Sequence, residues 1–188
     1  MASASGSAQT LVIRLYDYSD LSAKETRGAT ETAGRVFAHS GIYVDWRYCR
    51  GPLAETPGPT CETQMQDNEI VMRIEPGGPR SSGDERTLHL GRSMVTAEGG
   101  YYATVFVPAV RAQASEFAVA FALLLGYAVA HEVGHCLLGP GHSYAGLMRG
   151  AWSRKDGQEM SRMSLHFTNQ EMRKASARLA VAERAAKR

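Results

Sequence analysis

His131-Glu132-Val133-Gly134-His135-Cys136-Leu137-Leu138-Gly139-Pro140-Gly141-His142, followed closely by Gly146-Leu147-Met148, is the stretch on which this chain's reading turns. On a helix, residues four apart share a face, so His131 and His135 can offer imidazole nitrogens to one cation. Glu132 lies one step round the helix, where it can take a proton from a water held by that cation. Gly139-Pro140-Gly141 stops the helix, and His142 returns as a third imidazole. Two or three imidazoles and a water make the open tetrahedral site of catalytic zinc, rather than the closed site of structural zinc. The plainer alternative is a helix with two half-buried, hydrogen-bonded histidines and a solvated Glu. Histidines seldom cluster this way without a ligand, which favours the metal.

Outward from the motif, Phe117–Ala130 is apolar throughout but too short to span a bilayer, so it reads as buried helix. Ser115 is the expected N-cap, with Glu116 at the positive end, which predicts one helix of about 35 Å running to Leu138. Upstream, residues 10–16 read as a first strand, and Ser22 with Glu25 as a capping box opening a helix that Gly41 closes. Ile42, Val44 and Trp46 alternate as a second strand; Ile70, Met72 and Ile74 alternate as a third. Residues 76–84 are loop by composition, 88–95 hold a short fourth strand, Gly99-Gly100 is a turn, and 103–107 a fifth strand. Downstream, 150–157 reads as polar and irregular. Thr168 and Glu171 form a second capping box, opening a terminal helix with Met172, Ala175, Leu179, Ala182 and Ala186 inward.

The chain has 188 residues, 44% hydrophobic and 21% charged, with a net charge of +2. That suits one globular domain and gives no case for nucleic-acid or membrane binding. Residues 1–9 read as a flexible leader and 10–188 as a single domain, whose part from about 143 onward is a helical subdomain. Cys49 and Cys61 flank a Gly/Pro-rich loop, so a disulfide is expected, with two separate thiols as the alternative. A bridge would place the protein outside the cytosol, although no basic and apolar signal pattern is visible. Cys136 points off the ligand face and reads as a small buried hydrophobe. His89 and His166 are lone histidines, and His39 suits the carboxyl end of its helix.

The motif resembles the metzincin zinc peptidases, whose signature is HExxHxxGxxH followed by a Met-containing turn. His131–His135, His142-Ser143 and Leu147-Met148 resemble matrixin-like and archaemetzincin-like members. Three residues, Cys136 to Leu138, precede the turn glycine where the family has two. The turn must therefore absorb about 100° of rotation and 1.5 Å of rise. The resemblance implies an α+β, zincin-type fold: a twisted mixed sheet of about five strands, a backing helix, an active-site helix and a C-terminal helix. It also implies one Zn2+ on His131, His135 and His142, with Met148 packed beneath it in a Met-turn and Tyr144 as a candidate oxyanion or substrate contact.

The expected function is zinc-dependent endopeptidase. A zinc-bound water is activated by Glu132, which returns the proton to the leaving nitrogen. The substrate would be an extended peptide added to an edge strand within 91–95, with Tyr101 and Tyr102 flanking the cleft; the expected state is a monomer. Three rivals remain. One is a zincin whose third ligand is Glu159 or Glu171. Another is the three-histidine RNA hydrolase arrangement, against which Glu132 and the modest charge argue. The last is a zinc-binding protein that keeps the fold without turnover.

Overall fold

Leu11, Ile13 and Leu15 alternate with Val12, Arg14 and Tyr16, so this segment offers one apolar face to a core and settles as a strand. In the computed structural model, which describes residues 9–54, 59–78 and 89–185, it is β1, Gln9–Asp17. Residues 1–8 of the expected leader lie outside the described residues. With β2 (Ile42–Arg50), β3 (Glu69–Glu75), β4 (Gly91–Thr96) and β5 (Gly99–Phe106) it forms one sheet in the order β2-β1-β3-β5-β4. Neighbours among β2, β1, β3 and β5 run parallel, and β4 closes the edge antiparallel to β5. The fold is α+β with a mixed sheet, and its antiparallel edge falls where the sequence placed it.

Helix α1, Ala23–His39, starts at a capping box in which Ser22 and Glu25 each bond the other's backbone N–H. It packs on the sheet beside helix α4, Phe121–Leu138, which is buried without interruption from Leu124 to Leu137. Small residues let the two helices meet: a Cβ on Gly126 would stand 2.6 Å from the Ala29 carbonyl oxygen. Among the described helices, α4 alone is long and apolar enough to cross a bilayer, and it is this protein's core helix.

The short helix α2, Pro59–Glu62, and the residues after it cover the opposite face of β1. There Arg14 donates to the Thr63 carbonyl at 2.7 Å, and the Tyr16 hydroxyl to the Cys61 carbonyl at 3.2 Å. Cys49 and Cys61 are bridged, with Cα atoms 5.6 Å apart, pinning this cover to β2. Thiol counting under denaturing conditions should find one free thiol of three, and reduction should cost about 3 kcal/mol for a loop of this length. Three free thiols in protein made under oxidising conditions would contradict the bridge.

Three local expectations need correction. The single long helix is two: α3, Val107–Phe117, opens on Pro108 and ends where Ala118 turns left-handed at φ 54°, before α4 begins. Ser115 is therefore interior to α3 and caps nothing. Residues 150–157 are not irregular throughout: from Arg154 they enter α5, Arg154–Ser161, with a capping box between Ser153 and Asp156. Gly99 and Gly100 open β5, and the turn before them is Ala97-Glu98. The terminal helix α6, Asn169–Ala185, starts at Thr168 and Glu171 as read, with Ala175, Leu179 and Ala182 inward. Ala186 lies outside the described residues.

Candidate metal centre

Because α4 is regular through the motif, His131 and His135 project from one face, and their Nε2 atoms stand 3.1 Å apart. Each ring is held from behind by main chain: His131 Nδ1 bonds the Leu147 carbonyl at 3.0 Å, His135 Nδ1 the Gly139 carbonyl at 3.4 Å. An Nδ1–H that donates leaves Nε2 as a lone pair. Two such lone pairs face to face satisfy nothing by themselves. Ligands about 2.0–2.1 Å from a tetrahedral ion sit roughly 3.4 Å from one another, close to the spacing here. Burial pushes His131 down to about 4 and lowers His135 as well, so both imidazoles are neutral near pH 7. That is the form that binds metal.

His142 completes the cluster, and the three ligand atoms lie within 4.8 Å of one another. The extra residue before Gly139 is absorbed by backbone. Gly139 (φ 91°) and Gly141 (φ 98°) take conformations that other residues rarely adopt, and the loop turns back in time to deliver His142. Gly150 lies against that ring, since a Cβ there would be 3.1 Å from His142 Nδ1.

Glu132 faces the edge strand. A Cβ on Gly91 would come within 2.6 Å of Glu132 Cγ, so only glycine leaves room for this side chain beside β4. Ser93 Oγ lies 2.6 Å from Glu132 Oε2 and 2.8 Å from the Glu132 carbonyl, tying the carboxyl to the strand. Burial raises Glu132 to about 7, against the lowering effect of Ser93. Such a carboxyl exchanges protons near neutrality. Met148 is buried under the helix, and a Cβ on Gly134 would sit 2.6 Å from its sulfur. Trp152 donates to the same Leu147 carbonyl at 3.0 Å and meets His131 edge-on at 5.4 Å. Gly91, Ser93, Gly134 and Trp152 all escaped the sequence reading. Only the glycines carried a signal there, as glycines placed inside a strand and inside a helix.

The other sequence candidates lie elsewhere. Glu171 caps α6, accepting from Thr168 N at 2.7 Å and from Ser143 Oγ, and so braces the residue after His142. Glu159 lies on α5 and is absent from the cluster. Tyr144 is fully exposed and does not line the cleft. Cys136 is buried, its thiol pushed up to about 12 by that burial. His166 is not solitary: its ring stacks on His39 at 3.6 Å, while His89 lies at the cleft. The cleft encloses about 620 Å³ above the histidines, between β4, α3 and residues 149–152.

No protein-family model matches this chain, and no curated protein matches it by sequence. Solved structures do. The fold is similar to the crystal structure of archaemetzincin from Methanopyrus kandleri, with a TM-score of 0.60 over 95% of this chain and 99% of that one, at 15% identity. At that identity the likeness concerns fold alone: the chain has a zincin-type α+β fold of the archaemetzincin kind.

Proposed function

We propose that this protein is a zinc-dependent endopeptidase. The observation that carries the reading is the convergence of His131, His135 and His142 with the buried carboxyl of Glu132 in one open cleft. The donor set suits zinc: all-nitrogen, neutral, and oriented by main-chain carbonyls. Zinc held there would supply carbonyl polarisation and an acidified water. Glu132 would take that water's proton and return it to the leaving amide nitrogen, with Ser93 keeping the carboxyl aimed from the edge strand. Met148 would support the floor as a Met-turn residue, and β4 would pair with an extended substrate. Similarity to archaemetzincin supports the reading at the level of fold, and the disulfide supports an extracytoplasmic setting.

The test is a mixed peptide library incubated with zinc-loaded protein, with chelator-treated protein, and with chelator-treated protein given zinc again. Cleavage should vanish with the chelator and return with zinc. Metal analysis after reconstitution should approach one equivalent, and less than about 0.2 would defeat the proposal. The identity of the third ligand is separable. His142→Ala should weaken zinc binding strongly, whereas Glu171→Ala should keep the metal and lose its contacts to Thr168 and Ser143. The reverse pattern would move the third ligand to Glu171.

A further inference from the structure

The wall of the cleft formed by residues 149–152 carries a cation that the proposed chemistry does not use. Arg149 lines the cleft, and its backbone pairs with Ser143, next to His142. Gly150 lies against His142, and Trp152 against His131, so this wall touches two of the three imidazoles. A group reaching Arg149 is therefore beside the metal centre.

The Arg149 guanidinium is aimed by a buried carboxylate. Its Nη1 donates to Asp156 Oδ1 at 2.9 Å, and the Asp156 side chain is 3% exposed while that of Arg149 is 39% exposed. Asp156 needs little from it, since Oδ2 already accepts from Ser153 N at 2.7 Å and Ser153 Oγ at 2.6 Å. A guanidinium has five N–H donors in a rigid fork. One is engaged with Asp156, which fixes the orientation, and the exposed remainder adjoins the cleft. A solvated surface Arg would show no buried partner, and an Arg used only to neutralise Asp156 would not be this open. Among the described residues, the other non-catalytic charges lining the cleft are Arg92 on β4 and Glu116 on α3, and Glu116 is engaged by Gln113 Nε2 at 2.9 Å.

We propose that Arg149 recognises a carboxylate on the substrate, so that the cleft selects peptides with an acidic side chain or a free carboxyl terminus close to the cleaved bond. This rests on the peptidase reading of the same site; an acidic side chain keeps the cleavage internal, whereas a free carboxyl terminus as the source would make it terminal. The planar fork matches a carboxylate in two-point fashion, and the buried Asp156 removes most of the ordering cost.

The experiment measures binding and cleavage separately. Zinc-loaded Glu132→Gln protein, in which cleavage is silenced, is titrated with fluorescently labelled peptides of one host sequence, read by anisotropy. One arm places Glu or Gln at each position in amidated peptides; the other compares free with amidated ends in peptides without acidic residues. At one position, or at the free end, the carboxylate should bind about tenfold tighter or better. The arm that responds identifies the source. In Glu132→Gln/Arg149→Gln the preference should disappear, and in Glu132→Gln/Arg149→Lys it should return in part. Equal binding of Glu and Gln peptides and of free and amidated ends, or no binding of any, overturns the proposal even if the Arg149 variants fail to fold. Cleavage by the unmodified protein without acid preference would reject Arg149 and leave the peptidase standing. A preference in binding without any cleavage would do the opposite.

Discussion

Glu132→Gln should reduce peptide cleavage by about 10²- to 10⁴-fold while leaving zinc content and fold unchanged. Gln has nearly the same shape and can still meet Ser93, so the fit beside Gly91 survives. What is lost is the ability to accept a proton. Glu132 lines the same cleft but is not one of the three clustered imidazole ligands, and Ser93 holds its carboxyl on the β4 side, so metal binding does not depend on it. His135→Ala gives the contrast, because metal and activity should fall together when a ligand is removed. Parallel steady-state rates and zinc analysis on both variants decide the matter. Cleavage that persists in Glu132→Gln would mean another mechanism or another enzyme in the preparation.

The largest effect on stability should come from the far side of the sheet. Glu69→Ala is expected to cost about 3–5 kcal/mol, the range for breaking a buried ion pair from one side. Glu69 is 1% exposed and accepts from Arg14 at 2.5 Å, Arg47 at 2.6 Å and Gln66 N at 3.1 Å. Removing it strands Arg14, itself 2% exposed, under the cover formed by residues 61–66. In a domain of this size the loss corresponds to a Tm lowered by roughly 6–20 °C. Urea unfolding with the disulfide intact should show it as a shifted midpoint at constant slope. The pair Arg14→Met, Glu69→Leu should recover much of the loss, because no unpartnered charge remains. A cost below about 1 kcal/mol for Glu69→Ala would show that water reaches Arg14.

Most of the architecture was legible because its signals are local. Both capping boxes at the ends of the chain declare themselves within four residues, and the alternation along β1, β2 and β3 needs only a nine-residue window. The helical HExxH spacing fixes its own geometry. The break between α3 and α4 was hidden by a continuous apolar pattern across Phe117 to Ala130. Ala118 closes α3 in a left-handed conformation, its N–H bonded back to the Ala114 and Ser115 carbonyls, without the glycine that usually marks it. Pro108 marks the start of α3, since its missing N–H suits a first turn, but the start expected from the sequence was Ser115. The box at Ser153 was missed, because Asp156 stands where Glu is usual and residues 153–156 are all polar. Ser93 and Gly91 serve Glu132 across about forty residues, and Arg14 meets Glu69 across 55. Contacts of that kind exist only once the sheet has been assembled.

The backing of the two helix-borne imidazoles has a consequence for how such a site endures. Their partners are the carbonyl oxygens of Leu147 and Gly139, groups that every residue type possesses. No substitution can delete an acceptor of that kind; only a change in the path of the chain can. The aim of the rings is thus recorded in the trace of a helix, a reversal and a tight loop rather than in the spelling of their surroundings. Sequence around the site can drift far while the instrument stays in tune. A likeness preserved in this manner is to be sought in backbone paths, where it outlasts any resemblance between residues.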